Sequence, residues 1–105
     1  MNVLYYEIHI TIEPLFDEDL EKVKQLAIIN NYKVANLLMK KLQEDTPERS
    51  MYDTFMTGHK KDKSVAIASC IDIVKKLKDD GVSVYRYKIE DVTIDSRNYD
   101  LFGIL

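Results

Sequence analysis

The chain has 105 residues, of which 46% are hydrophobic and 31% are charged, and its formal net charge is −3. This size and composition predict one domain with one core, spanning 1–105, and argue against extensive disorder. The negative net charge argues against non-specific nucleic-acid binding, which normally requires a basic surface.

Alternation of apolar and polar residues predicts a first strand over 3–13. The apolar set is Leu4, Tyr6, Ile8, Ile10 and Ile12. The other set is Val3, Tyr5, Glu7, His9, Thr11 and Glu13. A period of two with many β-branched and aromatic residues is typical of a strand with one buried face. Pro14, which lacks a backbone N–H, is expected to end it.

A helix is predicted next, with Asp17 as its N-cap. Its apolar residues have helical spacing: Leu20, Val23, Leu26 and Ala27. The pair Asn30-Asn31 predicts its end, because asparagine tolerates the left-handed conformation that closes helices. Residues 32–39 fit either a second strand or a continuation of the helix, and we favour the strand. The polar segment 43–50 predicts a loop.

A third strand is predicted over 52–59, where Gly58 indicates a strand end or a close backbone approach. After a charged turn over 60–63, a second helix is expected to end at Gly81. Its predicted apolar face is Ile67, Cys70, Ile71, Val74 and Leu77. Cys70 is expected to be a small core residue, and a single cysteine excludes an internal disulfide and a cysteine-rich zinc site.

The last predicted strand spans 82–95, with a bulge at Glu90-Asp91, where the alternation changes phase. The C-terminal tail, 96–105, ends in several apolar residues: Leu101, Phe102, Ile104 and Leu105. Burying one such side chain is worth roughly 1.5–3 kcal/mol. We therefore expect the tail to pack on the domain or on a second copy, and we favour a homodimer.

The predicted order of strand, helix, strand, strand, helix and strand is that of the ferredoxin-like α+β fold. This βαββαβ fold has a four-stranded antiparallel sheet with two helices on one face. The first and third strands are central, and the last strand flanks the first. The polar side of the first strand should therefore face away from the helices. An apolar patch is expected on the same side, formed by Val3, Tyr5, Phe55 and Val84.

Polar residues from three strands are expected to meet on this uncovered face. His9 and His59 are the candidate catalytic residues, because imidazole carries protons near neutral pH. The candidate ligand-binding residues are Thr11, Thr57, Arg86, Lys88 and Phe55. Hydroxyls and cations bind phosphate oxygens, and an aromatic ring, from Phe55 or Tyr5, stacks on a base. The same residue types also occur on ordinary solvated sheet faces.

The segment His9-Ile10-Thr11, within EIHITI, resembles the H-x-T motif of the 2H phosphoesterases. That family carries two such motifs on pseudo-symmetric strands. One histidine acts as base and the other as acid on a phosphodiester, while the hydroxyls hold the phosphate. The resemblance implies these roles for His9 and Thr11. A second H-x-T motif is absent, since the other histidine occurs as Thr57-Gly58-His59, with the hydroxyl before it.

The favoured function is binding of a phosphorylated, nucleotide-like ligand on the uncovered face, as in a protein that sequesters a signalling nucleotide. Two alternatives stay open: phosphodiester hydrolysis of the 2H type, and a homo-oligomeric interaction module. No cofactor or metal is expected. A cytoplasmic location is expected, because no apolar run reaches the roughly 20 residues that span a bilayer and no signal-peptide pattern is present.

Overall fold

The computed structural model describes residues 3–36 and 54–93. Its elements are β1 (Tyr5–Ile12), α1 (Asp17–Ile29), β2 (Lys33–Asn36), β3 (Thr54–Lys60), α2 (Lys63–Asp79) and β4 (Val84–Val92). The favoured strand at 32–39 is thus confirmed over Lys33–Asn36. The predictions for the loop at 43–50 and for the tail at 96–105 lie outside the described residues. Among the described helices, neither is long and apolar enough to cross a membrane.

The four strands form one antiparallel sheet in the order β2-β3-β1-β4. β1 pairs with β3 on one side and with β4 on the other, and β2 pairs with β3. This order and the two helices confirm the predicted ferredoxin-like α+β arrangement. The central position of β1 puts the His9-x-Thr11 segment in the middle of the sheet, between two partner strands.

The core forms where both helices pack on the apolar side of β1. Ile8, Ile10 and Ile12 are fully buried, as the alternation predicted. They belong to one cluster with Val23 of α1 and Leu77 of α2. Cys70 is also buried there, and burial raises the pKa of its thiol. Because all these residues lie on one side of the sheet, the other parity of β1 faces away from the helices.

Gly58 is required by the packing of β3 against Tyr32. A Cβ added at Gly58 would lie 2.8 Å from Cε1 and 2.9 Å from Cδ1 of Tyr32. The Tyr32 ring is buried, and its hydroxyl hydrogen bonds with the Ser69 hydroxyl at 2.8 Å. Burial raises the pKa of the Tyr32 phenol. The predicted close backbone approach at Gly58 is therefore confirmed.

Both helices end with the same pair of backbone hydrogen bonds. After α1, the amides of Asn31 and Tyr32 donate to the carbonyls of Ile28 and Ala27. After α2, the amides of Gly81 and Val82 donate in the same way to Lys78 and Leu77. Asn31 and Gly81 have positive φ values of 63° and 79°, which identifies both ends as Schellman motifs. The predicted helix ends are confirmed.

Two predictions about the helices were wrong. Asp17 is not the N-cap: it is the first helical residue, and Phe16 occupies the cap with extended backbone and no side-chain cap bond. In α2, Ile67 and Ile71 are exposed at 43% and 52%. The buried stripe includes the predicted Cys70, Val74 and Leu77, together with Ala66 and Ile73. Each residue turns an α-helix by about 100°, so this stripe lies about 100° around the helix axis from Ile67 and Ile71.

The bulge in β4 was predicted at the wrong end of the strand. The pairing of β1 with β4 is continuous from Tyr5–Val92 to Thr11–Arg86, which leaves no irregularity at Glu90-Asp91. The register shifts between Thr11 and Ile12, where Ile12 pairs with Val84. This shift turns Val84 towards the core, against which it packs. Val84 is therefore not part of the predicted apolar patch on the uncovered face.

Candidate functional site

We call the sheet surface that neither helix covers the open face. The strand pairings arrange its side chains in three rows across the sheet. The carboxylate row is His59, Glu7 and Glu90. The histidine row is Lys33, Thr57, His9 and Lys88. The arginine row is Ala35, Phe55, Thr11 and Arg86. All seven residues predicted as site residues thus lie on one face.

The two histidines lie on adjacent strands but are not directly opposite each other. His9 pairs with Thr57 and with Lys88, whereas His59 pairs with Glu7. His9 and His59 are therefore diagonal neighbours, and the Cα atoms of such pairs are typically about 7–8 Å apart. Two residues are adjacent to both histidines: Glu7 is directly opposite His59 and two positions before His9 on β1, and Thr57 is directly opposite His9 and two positions before His59 on β3.

His9 lies close to two carboxylates. Its Nε2 atom is 3.9 Å from Oε1 of Glu7 and 3.7 Å from Oε1 of Glu90, and its side chain is 30% exposed. Both distances exceed hydrogen-bond length, so these contacts are electrostatic. An imidazole N–H at this position can donate a hydrogen bond to a phosphate oxygen.

Lys88 makes a short polar contact on the open face. Its Nζ donates to Oε1 of Glu90 at 2.6 Å, and both side chains are nearly half exposed. This hydrogen bond and the positive charge of Lys88 hold the pKa of Glu90 below its ordinary value. A ligand phosphate must therefore share Lys88 with Glu90. Arg86, two positions away on the same strand, is exposed and lies directly opposite Thr11.

Aromatic rings border the polar rows at both ends of the face. The rings of Tyr5 and His59 meet edge to face, with centroids 5.4 Å apart and planes inclined by 75°. This pair lies at the carboxylate row. At the other end, Phe55 pairs directly with Thr11 in the arginine row. Each end thus offers an aromatic side chain to a planar ligand group.

Sequence reasoning missed two features of the face. Lys33 was not identified as a site residue, although it pairs with Thr57 and so extends the histidine row. Its signal was the alternation Lys33-x-Ala35 within the short second strand. The position of Glu7 between the two histidines was also missed, because it depends on the β1–β3 register.

Other surface clefts lie away from this face. One, with a volume of about 420 Å³, is lined by three carboxylates, Glu13, Asp19 and Asp80, and one cation, Lys22, so its lining has a net negative charge that disfavours anions. A smaller apolar one of about 210 Å³ lies between α2 and β4, beside Ile71 and Tyr87. Within residues 3–36 and 54–93, no three His, Cys, Asp or Glu side chains are arranged to hold a metal ion.

Comparison of the chain with family models, with curated proteins and with solved structures gave no match. The open face is therefore the basis for inferring a function.

Proposed function

We propose that this protein binds a phosphorylated, nucleotide-like ligand on the open face. The observation that supports this proposal is the cross-strand register, which aligns Thr11 with Arg86 and places His9 between Thr57 and Lys88. Hydroxyl, imidazole, ammonium and guanidinium donors are the groups that bind phosphate oxygens. Their convergence on adjacent strands provides donors from several directions at once.

The phosphate groups lie over the arginine and histidine rows. Arg86 supplies a bidentate cation, and Thr11 supplies a hydroxyl from the directly opposite position. Lys88 and His9 add charge-assisted donors one row away. An aromatic side chain at one end of the face stacks on the base.

Hydrolysis of a phosphodiester is the second candidate, and the diagonal placement of His9 and His59 favours it. In such a reaction, one imidazole takes a proton from an attacking water as the new P–O bond forms. The other imidazole gives a proton to the leaving oxygen as the old P–O bond breaks. We rank binding without turnover first, because the second H-x-T motif is absent.

The binding proposal is tested by calorimetric titration with nucleoside mono- and diphosphates of the four common bases. Arg86→Ala and Lys88→Ala should each weaken binding roughly tenfold or more, because hydrogen bonds to charged groups contribute about 1.5–3 kcal/mol. His9→Ala should cost less than either. Lys75→Ala is the matched control, since Lys75 is an exposed lysine on α2. If no nucleotide binds, the proposal is wrong and the homo-oligomeric interaction module becomes the better hypothesis.

Recovering the ligand after incubation distinguishes binding from hydrolysis. After incubation with linear and cyclic phosphodiesters, heat denaturation of a pure binder releases the compound intact. For a hydrolase, His9→Ala and His59→Ala should each lower turnover by about 10²- to 10⁴-fold while some binding remains. Turnover by the wild type that both variants lose would reverse the ranking of the two candidates.

A further inference from the structure

The open face has opposite charge at its two ends. The carboxylate row places Glu7 directly opposite Glu90, whereas the arginine row contains Arg86. These rows are four residues apart along β1, from Glu7 to Thr11, which corresponds to about 13 Å of extended chain. A uniformly anionic ligand is repelled by the first row. A ligand that covers the whole face must therefore carry phosphate at one end and hydrogen-bond donors at the other.

Of the two carboxylates in the carboxylate row, Glu7 is the one that accepts fewer hydrogen bonds in the contacts described. Glu90 already accepts a hydrogen bond from Lys88 at 2.6 Å. The ion pair described for Glu7 is the 3.9 Å contact with His9, which is longer than a hydrogen bond. The Glu7 side chain is only 27% exposed. Like charges directly opposite in a sheet are destabilising, so this pair lowers the stability of the free protein.

We propose that Glu7 is a specificity-determining residue that selects a guanine base, an inference that rests on the proposed nucleotide-binding function. An ionised carboxylate only accepts hydrogen bonds, and its two oxygens match two parallel N–H donors. Guanine offers such a pair in its N1–H and its 2-amino group. Adenine offers one amino group beside a ring nitrogen that is itself an acceptor, which the carboxylate repels.

This assignment fixes the orientation of the ligand on the open face. The base lies over the carboxylate row, where the Tyr5 and His59 rings border Glu7. The phosphates extend past His9 and Lys88 towards Arg86, as in a nucleoside diphosphate. Phe55, at the arginine row, then lies near the phosphate end and does not read the base.

The experiment compares guanosine, inosine and adenosine diphosphates by calorimetric titration of the full chain. Inosine retains the N1–H group but lacks the 2-amino group. We expect guanosine diphosphate to bind about tenfold more tightly than inosine diphosphate, and more tightly still than adenosine diphosphate. Glu7→Gln should reduce this preference to about threefold or less. Glu7→Gln should also raise the melting temperature without ligand, because the repulsion from Glu90 is removed.

Two matched variants serve as controls. Glu90→Gln changes the other carboxylate of the row, and Glu21→Gln changes an exposed carboxylate on α1, away from the open face. Both should retain the preference for guanosine over inosine diphosphate. Equal binding of all three diphosphates by the wild type would overturn the base assignment and leave the proposed function intact. A preference that persists in folded Glu7→Gln protein would overturn the role of Glu7. Absence of binding by every nucleotide would refute the proposed function as well.

Discussion

We predict that even a methyl group at position 58 lowers the stability of the protein. In a strand, replacing glycine with alanine normally adds about 0.5–1 kcal/mol of stability, because glycine loses more conformational freedom on folding. At Gly58 the added Cβ would lie 2.8 Å from the Tyr32 ring, which the hydrogen bond to Ser69 restrains. Gly58→Ala should therefore lower the free energy of unfolding by about 1–3 kcal/mol, as for other overpacked cores. Urea denaturation measures this change.

A double-mutant cycle identifies the cause of that loss. Tyr32→Leu removes the ring that the new methyl group meets, so Gly58→Ala should cost less in this background than in the wild type. An equal cost in both backgrounds would show that backbone conformation, and not the Tyr32 ring, excludes a side chain at Gly58.

Individual residues were predictable where a local pattern constrains them. The alternation in β1 identified both the buried residues and the polar residues opposite them, because a strand has a period of two. Gly58 indicated a close approach, but Tyr32, its neighbour in space, is 26 positions away in the sequence. The hydrogen bond between Lys88 and Glu90, two positions apart on one strand, depends on side-chain rotamers, and the contact of His9 with Glu90 also depends on the β1–β4 register. No local pattern determines these.

The ends of the two helices should respond in opposite ways to substitution. Asn31 and Gly81 occupy equivalent positions in their Schellman motifs, both with positive φ. Asn31→Gly should stabilise the protein by a few tenths of a kcal/mol or more, since glycine adopts this conformation without steric cost. Gly81→Ala should destabilise it by about 1 kcal/mol or more. Urea denaturation of each variant gives both values.

Neighbouring positions provide the controls for these two changes. Asn30 and Asp80 have φ values of −101° and −83°, so neither requires the left-handed conformation. Asn30→Gly should destabilise, because it also removes the Asn30 side-chain hydrogen bond to the Leu26 carbonyl. Asp80→Ala should have little effect. Stabilisation by Asn30→Gly equal to that by Asn31→Gly would contradict the explanation from φ.

The type of each element was predictable, but the buried face of α2 and the position of the bulge in β4 were not. Every described helix and strand was predicted, although periodicity left β2 open between a strand and a continuation of the helix. The predicted face of α2 included Ile67 and Ile71, which are exposed, and omitted Ala66 and Ile73, which are buried. The bulge in β4 was predicted at the wrong place. The alternation of apolar and polar residues changes phase at Glu90-Asp91 because β4 is an exposed edge strand, and its pairing with β1 is unbroken there.

The fold as a whole followed from the order of the elements. Parallel strands joined through a helix form right-handed crossovers almost without exception, which leaves few arrangements of two such units in one sheet. The observed order β2-β3-β1-β4 is the one that the ferredoxin-like arrangement requires. The open face followed from this topology and from the alternation in β1. The order of elements does not specify a ligand, so the proposed function is inferred from the chemistry of the three rows.

The charge distribution of the whole molecule predicts a preference for small ligands over long nucleic acids. The formal net charge is −3, and the cations of the open face are confined to two of its three rows. A single-stranded RNA long enough to cross the sheet must pass over the carboxylate row or beside the acidic cleft at Glu13 and Asp19. A nucleoside diphosphate avoids both.

We therefore expect a labelled single-stranded RNA to show no change in fluorescence anisotropy at about 0.15 M salt, under conditions where a nucleoside diphosphate binds. Binding of the diphosphate should weaken only modestly as the salt concentration rises, because one small ligand displaces few counterions. Titrations with each ligand at low and high salt test both expectations. Tight RNA binding with a steep salt dependence would contradict them, since it requires many phosphate contacts along a continuous basic surface.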